Sequence, residues 1–347
     1  MKNSFYLFGI LTMCLLFSCS KAVDEPVAQL HNGTVLEEVA ASDLIRSLHA
    51  YNDSLYVAHN LSRIYNPFTN DGFAPQTRAY NGRAVIYADV LGAFRGGLKG
   101  FLYGAGLGPS GAIAGGAVGA ILNGALASAA MHWVQSGTIV VNPNDIPNLI
   151  ASDSIFQPET LYEMALAIET DVAIARPLGV ELEMGSNIEA IGLAHNLLLD
   201  RMMGGENSVN GSGPTDDNPG DLQPDQPVVI LSYIDELFED EFTAEMVASE
   251  IFQQDFEELI EQQLEEIADG SMMSPSDDIS EIILGLCYEA VTIYENSAYD
   301  VAAVVNFYYE EVENSEELTE EEKTAIYAGL SVMIYSPSYW TEQATNN

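Results

Sequence analysis

The chain has 347 residues and carries 52 Asp and Glu against 11 Lys and Arg, which gives a formal net charge of −41 at pH 7. A charge of this sign repels a phosphate backbone and argues against nucleic-acid binding. Because 48% of the residues are hydrophobic, the composition is that of a folded protein and not of a disordered acidic tail.

The N-terminus has the organisation of an export signal. Lys2 precedes an apolar run over 5–17, which is too short to span a bilayer comfortably and leads into Ser18-Cys19. This arrangement resembles the lipobox of bacterial lipoproteins, in the relaxed form common in Bacteroidota. The resemblance implies that 1–18 is a signal peptide and that Cys19 becomes the acylated first residue of the mature protein. An ordinary cleaved signal peptide and an uncleaved anchor remain alternatives.

The residues after Cys19 bear on where the protein resides. Ser20 stands where an Asp would be the usual signal for inner-membrane retention. The resemblance therefore implies an outer-membrane lipoprotein, on the periplasmic face or at the cell surface. We expect 19–34 to be a flexible tether.

The region 35–84 is predicted to hold one helix and a loop. Apolar residues recur with helical spacing over 35–64, and the segment 66–83 is rich in Asn, Gly, Pro and Thr. The helix is expected to end at Asn66-Pro67.

Glycine recurs every four residues in the segment 85–134. The spacing predicts a helical hairpin with arms at 86–107 and 110–134, turning at Gly108-Pro109. Positions i and i+4 share one helix face, so each row of glycines removes the side chains from a stripe and lets another helix backbone approach closely. The rows comprise Gly92, Gly96, Gly100, Gly104, Gly108, Gly111, Gly115 and Gly119.

These rows resemble the glycine-zipper motif of small outer-membrane lipoproteins and of pore-forming or bacteriocin-like peptides. The resemblance implies that the eight glycines are helix-packing residues. Three interpretations stay open: the hairpin packs inside a helical domain, inserts into a bilayer with or without oligomerising, or binds the helix of another protein. Arg95 and Lys99 oppose deep insertion of the first arm, because a charge in mid-membrane costs about 2.5–3.5 kcal/mol.

The rest of the chain is predicted to be mostly helical. In 135–203 we expect helices at 158–175 and 187–203, and either a strand or an extended connection at 138–141. The Gly-, Pro- and Asp-rich segment 204–227 is predicted to be a flexible linker. Residues 228–347 are predicted to form an acidic bundle domain, with a capping box at Thr319 and Glu322. Its helices are expected at 229–240, 243–268, 276–296, 299–313 and 320–336.

Candidate chemical groups favour structural roles. His59 and His195 both occur in Ala-His-Asn-Leu, which favours a buried, hydrogen-bonded His-Asn pair. Cys287 is interpreted as a small buried hydrophobe. The linker residues lack EF-hand spacing and are interpreted as solvated; they are Asp216, Asp217, Asn218, Asp221 and Asp225.

The sequence therefore predicts a mainly α protein without enzymatic activity, cofactor or metal. It has no GxSxG, HExxH, Walker A or Rossmann pattern and no zinc-type Cys spacing. We expect a cell-envelope lipoprotein with a structural or interaction role, meeting the membrane through its lipid and a protein partner or itself through the zipper. The alternative is a membrane-active, bacteriocin-like effector whose 86–134 hairpin inserts and oligomerises in a target bilayer.

Overall fold

Helices dominate the described part of the chain. The computed structural model describes residues 42–59, 82–168, 173–176, 182–204, 228–274, 276–293 and 298–346, and these confirm the mainly α prediction. The helices are α1 Asp43–Ala58, α2 Gly82–Ala105, α3 Pro109–Ser136, α4 Ile146–Ser152, α5 Pro158–Leu166, α6 Ser186–Met202, α7 Ser232–Glu239, α8 Glu241–Ala248, α9 Glu250–Asp269, α10 Ile279–Ile293, α11 Ala298–Glu313 and α12 Glu320–Asn346.

Several helices begin at a residue whose side chain accepts a hydrogen bond from the first turn. Ser42 Oγ accepts from the Ile45 amide before α1, at 3.1 Å. Before α12, Thr319 Oγ1 accepts from the Glu322 amide at 3.2 Å and Glu322 Oε2 accepts from the Thr319 amide at 2.7 Å. This reciprocal pair is the capping box expected from the sequence, and it satisfies two amides that have no partner inside the helix.

The α2–α3 hairpin lies at the centre of the fold. Helix α12 packs against α2 and also contacts α6, while α6 and α9 pack against α3. One hydrophobic core runs from Leu44 in α1 to Trp340 in α12. Residues Val39–Asn347 accordingly form one compact unit. The segment 204–227 was expected to separate the glycine-rich region from an acidic domain. The helices on its two sides instead share one hydrophobic core.

Two predicted helices differ from the structure because of pairing between distant segments. The helix expected over 158–175 ends at Leu166, and Ala173–Ala175 forms a strand instead. That strand pairs antiparallel with Val228–Ile230, with Ile174 opposite Val229, so the next helix starts at Ser232 and not at 229. Of the two alternatives predicted for 138–141, the structure has the connection and not the strand.

Two acidic helices differ from prediction, one by an internal break and one in its length. The single helix expected at 243–268 is two helices, because Ser249 has an extended backbone and its Oγ accepts from the Phe252 amide at 3.2 Å to start α9. Helix α12 continues ten residues past the predicted end at 336, with Pro337 inside it. The signal peptide, Cys19, the tether and the linker carboxylates of 216–225 lie outside the described residues.

Cys287 provides a test of the shared core. Its side chain is fully buried in α10, and this burial raises the pKa of the thiol well above its usual value. In Cys19→Ala protein lacking 1–18, we expect a thiol-specific disulfide reagent to modify Cys287 only under unfolding conditions, since the thiolate is the reacting species. A Ser54→Cys variant, with an exposed thiol on α1, should react at once in native buffer. Rapid modification of Cys287 in native buffer would contradict the described packing.

Candidate functional site

The two arms of the hairpin meet backbone to backbone along the predicted glycine rows. A Cβ atom added to Gly100 would meet the carbonyl of Gly115 at a distance that real Cβ atoms essentially never show. The same holds between Gly96 and Gly119 and between Gly104 and Gly111. On Gly92, an added Cβ would lie 2.6 Å from Ala127 Cβ and 2.9 Å from the Asn123 carbonyl oxygen. These seven glycines are thus required by the close approach of α2 and α3.

Gly108 differs from the other seven glycines. It precedes α3 with φ of 97°, and an added Cβ would have nothing within 4 Å. Its role is to let the chain reverse between Ala105 and Pro109, so the prediction that Gly108 packs against a helix is wrong. The positive φ is the conformation that glycine adopts without a steric penalty.

The hairpin is enclosed by the rest of the protein over most of its length. Among the described residues, α3 is the one helix long and apolar enough to cross a membrane, and 89% of its most apolar window is buried inside the protein. On another face of the hairpin, a Cβ added to Gly97 would lie 3.5 Å from Ala325 Cα of α12. The hairpin therefore serves as a core element in this arrangement.

Two basic residues of α2, Arg95 and Lys99, pair with acidic helices. Arg95 donates to Glu266 Oε2 of α9 at 2.7 Å and to Glu281 Oε1 of α10 at 2.8 Å, with all three side chains at least four-fifths buried. Lys99 Nζ lies 3.6 Å from Asp255 Oδ2. The two charges that oppose insertion of the first arm thus hold α9 and α10 against it.

A fully buried carboxylate connects the hairpin to α6 and α12. Asp89 Oδ1 lies 3.0 Å from His195 Nε2, and Asp89 Oδ2 accepts hydrogen bonds from Trp340 Nε1 at 2.8 Å and from Ser336 Oγ. An ionised or polar group without such partners would be costly in this core. Asp89 therefore fixes where α6 and α12 sit on the hairpin.

The histidines found in the repeated tetrapeptide have different surroundings. His195 is buried and its Nδ1 lies 3.0 Å from Asn196 Oδ1, while Asn196 Nδ2 donates to the Tyr335 carbonyl at 2.8 Å. His59 ends α1 at the surface, and Asn60 lies outside the described residues. The buried His-Asn pair expected at both positions is present at 195–196, whereas at His59 the expected burial is wrong.

A second buried carboxylate, Glu189 in α6, has its own donors. Arg176 Nε lies 2.7 and 2.9 Å from its two oxygens, and the Tyr335 hydroxyl donates to Oε1 at 2.5 Å. Burial, followed by the negative charge of Glu189, raises the pKa of Tyr335 far above its usual value. Two carboxylates on different helices therefore bind the same stretch of α12.

A third network joins α1 to the acidic helices. Asn52 Nδ2 donates to the Leu286 carbonyl at 2.9 Å, Tyr308 OH donates to Asn52 Oδ1 at 2.9 Å, and Tyr56 OH donates to Glu289 Oε1 at 2.7 Å. Sequence reasoning missed all three networks. Isolated Asp, Glu or Asn residues among apolar helical positions were the signal available for them.

The buried groups lack the geometry of nucleophilic catalysis. Ser336, His195 and Asp89 are the residue types of a catalytic triad, but Ser336 donates to Asp89 and not to His195, so the histidine is not placed to activate the hydroxyl. All three side chains are inaccessible to solvent. In the part of the chain that the structure describes, there is also no group of three or more His, Cys, Asp or Glu that could hold a metal ion.

The turn of the hairpin carries its exposed large hydrophobic side chains. Leu102, Leu107 and Ile113 are 58%, 63% and 53% exposed, and we call these three residues the hairpin tip. No Asp, Glu, Lys or Arg occurs between Gly100 and Asn144. Leu102 and Ile113 flank the final Gly104–Gly111 contact, two residues away on either arm.

Comparison of the chain with protein-family models, curated proteins and solved structures finds no match.

The glycine contacts predict opposite effects for neighbouring Gly→Ala substitutions. Gly100→Ala should lower the free energy of unfolding by about 2 kcal/mol or more, because the new methyl group meets a backbone carbonyl that cannot move independently. Gly97→Ala should leave it unchanged or raise it by up to about 1 kcal/mol, because there the methyl group makes ordinary contacts and alanine favours the helix. Urea unfolding followed by circular dichroism measures both. Equal effects of the two substitutions would contradict the backbone contact.

The Asp89 network predicts a large loss from a small change. Asp89→Asn replaces one of two acceptor oxygens by an amide group that donates, at a buried site where Trp340 and Ser336 both donate, so the free energy of unfolding should fall by about 3 kcal/mol. The same substitution at exposed Asp277 should change it by less than about 0.5 kcal/mol. Thermal unfolding of the two variants side by side gives the comparison, and similar midpoints would refute the role assigned to Asp89.

Proposed function

We propose that this chain is a non-enzymatic lipoprotein of the cell envelope, tethered through Cys19 to the outer membrane, with a structural or interaction role. The observation that carries the proposal is the enclosure of the α2–α3 hairpin by α6, α9 and α12. A hairpin held in this way supports a stable folded body next to the membrane. The lipid alone would then supply the anchor, since several acyl chains bind a bilayer firmly.

Buried polar networks support the structural part of the proposal. Asp89 and Glu189 each use their oxygens to bind helices together. Their arrangement offers no exposed acid and base converging on a substrate, which is the requirement for acid–base chemistry. The described polar groups are thus better suited to holding the fold than to catalysis.

The alternative, a membrane-active effector, has one feature in its favour. Helix α3 has the length and apolar composition of a membrane span. Insertion would require α2 and α3 to leave α12 and to break the pairs of Arg95 with Glu266 and Glu281. Release of dye from liposomes by protein without its lipid would favour this alternative.

Fractionation of lipid-attachment variants tests the proposal. We expect Cys19→Ala, exported with a cleavable signal peptide, to be soluble after an alkaline carbonate wash and to lose labelling by a fatty-acid probe. Cys14→Ala is the matched control, because it removes a thiol from the apolar run and should leave the protein labelled and in the membrane. Retention of Cys19→Ala in the washed membrane would mean that the hairpin itself inserts and would overturn the proposal.

A further inference from the structure

The hairpin tip stands beside the first turns of two acidic helices. The Tyr103 hydroxyl, next to Leu102, lies 2.5 Å from Asp255 Oδ2 and 3.1 Å from the Ile251 carbonyl oxygen, which places the start of α9 against this end of the hairpin. Ile251 is itself 68% exposed. The start of α9 therefore adds an apolar side chain on the side of the hairpin where Tyr103 lies.

The start of α12 borders the hairpin on a second side. Thr324 Cγ2 would lie 3.7 Å from a Cβ on Gly116, and Ala325 Cα would lie 3.5 Å from a Cβ on Gly97. The first turn of α9 holds Glu250, and the first turn of α12 holds Glu320, Glu321 and Glu322. Lys323 follows in α12, and Asp255, Glu257 and Glu258 follow in α9, where Lys99 of the hairpin lies 3.6 Å from Asp255.

From this geometry we infer that the hairpin tip is a docking surface for a protein partner that offers an apolar pocket rimmed by Lys and Arg. The inference rests on the interaction role proposed above and names the class of partner. The tip residues would enter the pocket, while the acids of α9 and α12 would face the basic rim. Complementary charges of this kind accelerate association and select the partner, and their effect weakens with salt.

Charge distinguishes this partner from the other occupants of an apolar surface. A second copy of the chain would bring the same acids to the same place and a net charge of −41 with it. A bilayer with anionic headgroups would be repelled by the same two helix ends. A basic partner removes this repulsion and uses the apolar contact.

The test uses a synthetic probe and the chain from residue 20 onward, which retains the whole unit Val39–Asn347. The probe is a fluorescent amphipathic peptide with Leu on one helix face and Lys on the other. Its controls carry Glu in place of Lys, or Ser in place of Leu. Because the protein has no lipid, the result is independent of whether Cys19 is the anchor.

Two triple variants give the decisive comparison. The tip variant is Leu102→Gln with Leu107→Gln and Ile113→Gln. The control variant places Gln at the exposed positions Val57, Val140 and Leu166, which lie outside the hairpin. We expect the Leu/Lys peptide to bind the tip variant about tenfold or more weakly than the control variant and the unmodified protein. The Leu/Glu peptide should not bind, and the Ser/Lys peptide should bind all three proteins equally weakly.

Three outcomes would overturn the inference. Equal binding of the Leu/Lys peptide to the tip and control variants would mean that acidic surface alone attracts it. Binding of the Leu/Glu peptide would remove the role of the acids. Flotation with phosphatidylcholine vesicles that the tip variant loses, together with unchanged peptide binding, would assign the tip to a bilayer instead.

Discussion

The approach of two helix backbones to within glycine-only distance is the constraint on which the rest of this fold depends. Between α2 and α3 there is no room for even a methyl group at Gly96, Gly100 or Gly104. The two helices therefore bury little side-chain area against each other, and their outward faces must supply the apolar burial that stabilises the protein. This explains why α6, α9 and α12 surround the hairpin, although α9 and α12 belong to the strongly acidic part of the chain.

Polar groups then decide which helix occupies which face. Apolar packing alone is nearly indifferent to a helix sliding or rotating, whereas a buried carboxylate is satisfied in one arrangement only. Asp89 binds side chains of α6 and α12, and Glu189 binds the hydroxyl of Tyr335, the residue before Ser336. Arg95 does the same with a positive charge, because it binds Glu266 of α9 and Glu281 of α10. The buried charges thus fix the positions of helices around a hairpin whose own arms meet through glycines.

How far the sequence predicted this structure depended on the range of the interactions involved. The hairpin was predictable because a four-residue glycine period reflects helix geometry directly, and the Thr319–Glu322 cap depends on residues three apart. The break at Ser249 was missed because apolar residues keep helical spacing across it. The strand at Ala173–Ala175 was missed because it depends on a partner strand more than fifty residues away. In the Asp89 site, His195 follows Asp89 by 106 positions and Ser336 follows it by 247, so no local sequence pattern indicates the site.

Contact rows made of glycine also govern how the length of this hairpin can change. Contacts between Gly96 and Gly119, Gly100 and Gly115, and Gly104 and Gly111 repeat with the same period on both arms. Adding one helical repeat of four residues to each arm would preserve this pattern, whereas adding one, two or three would place the Gly108-Pro109 turn at a different angle to the glycine stripe. Relatives of this protein, if their hairpins differ in length, should therefore differ by four residues per arm, with the Gly108-Pro109 turn moved outward unchanged.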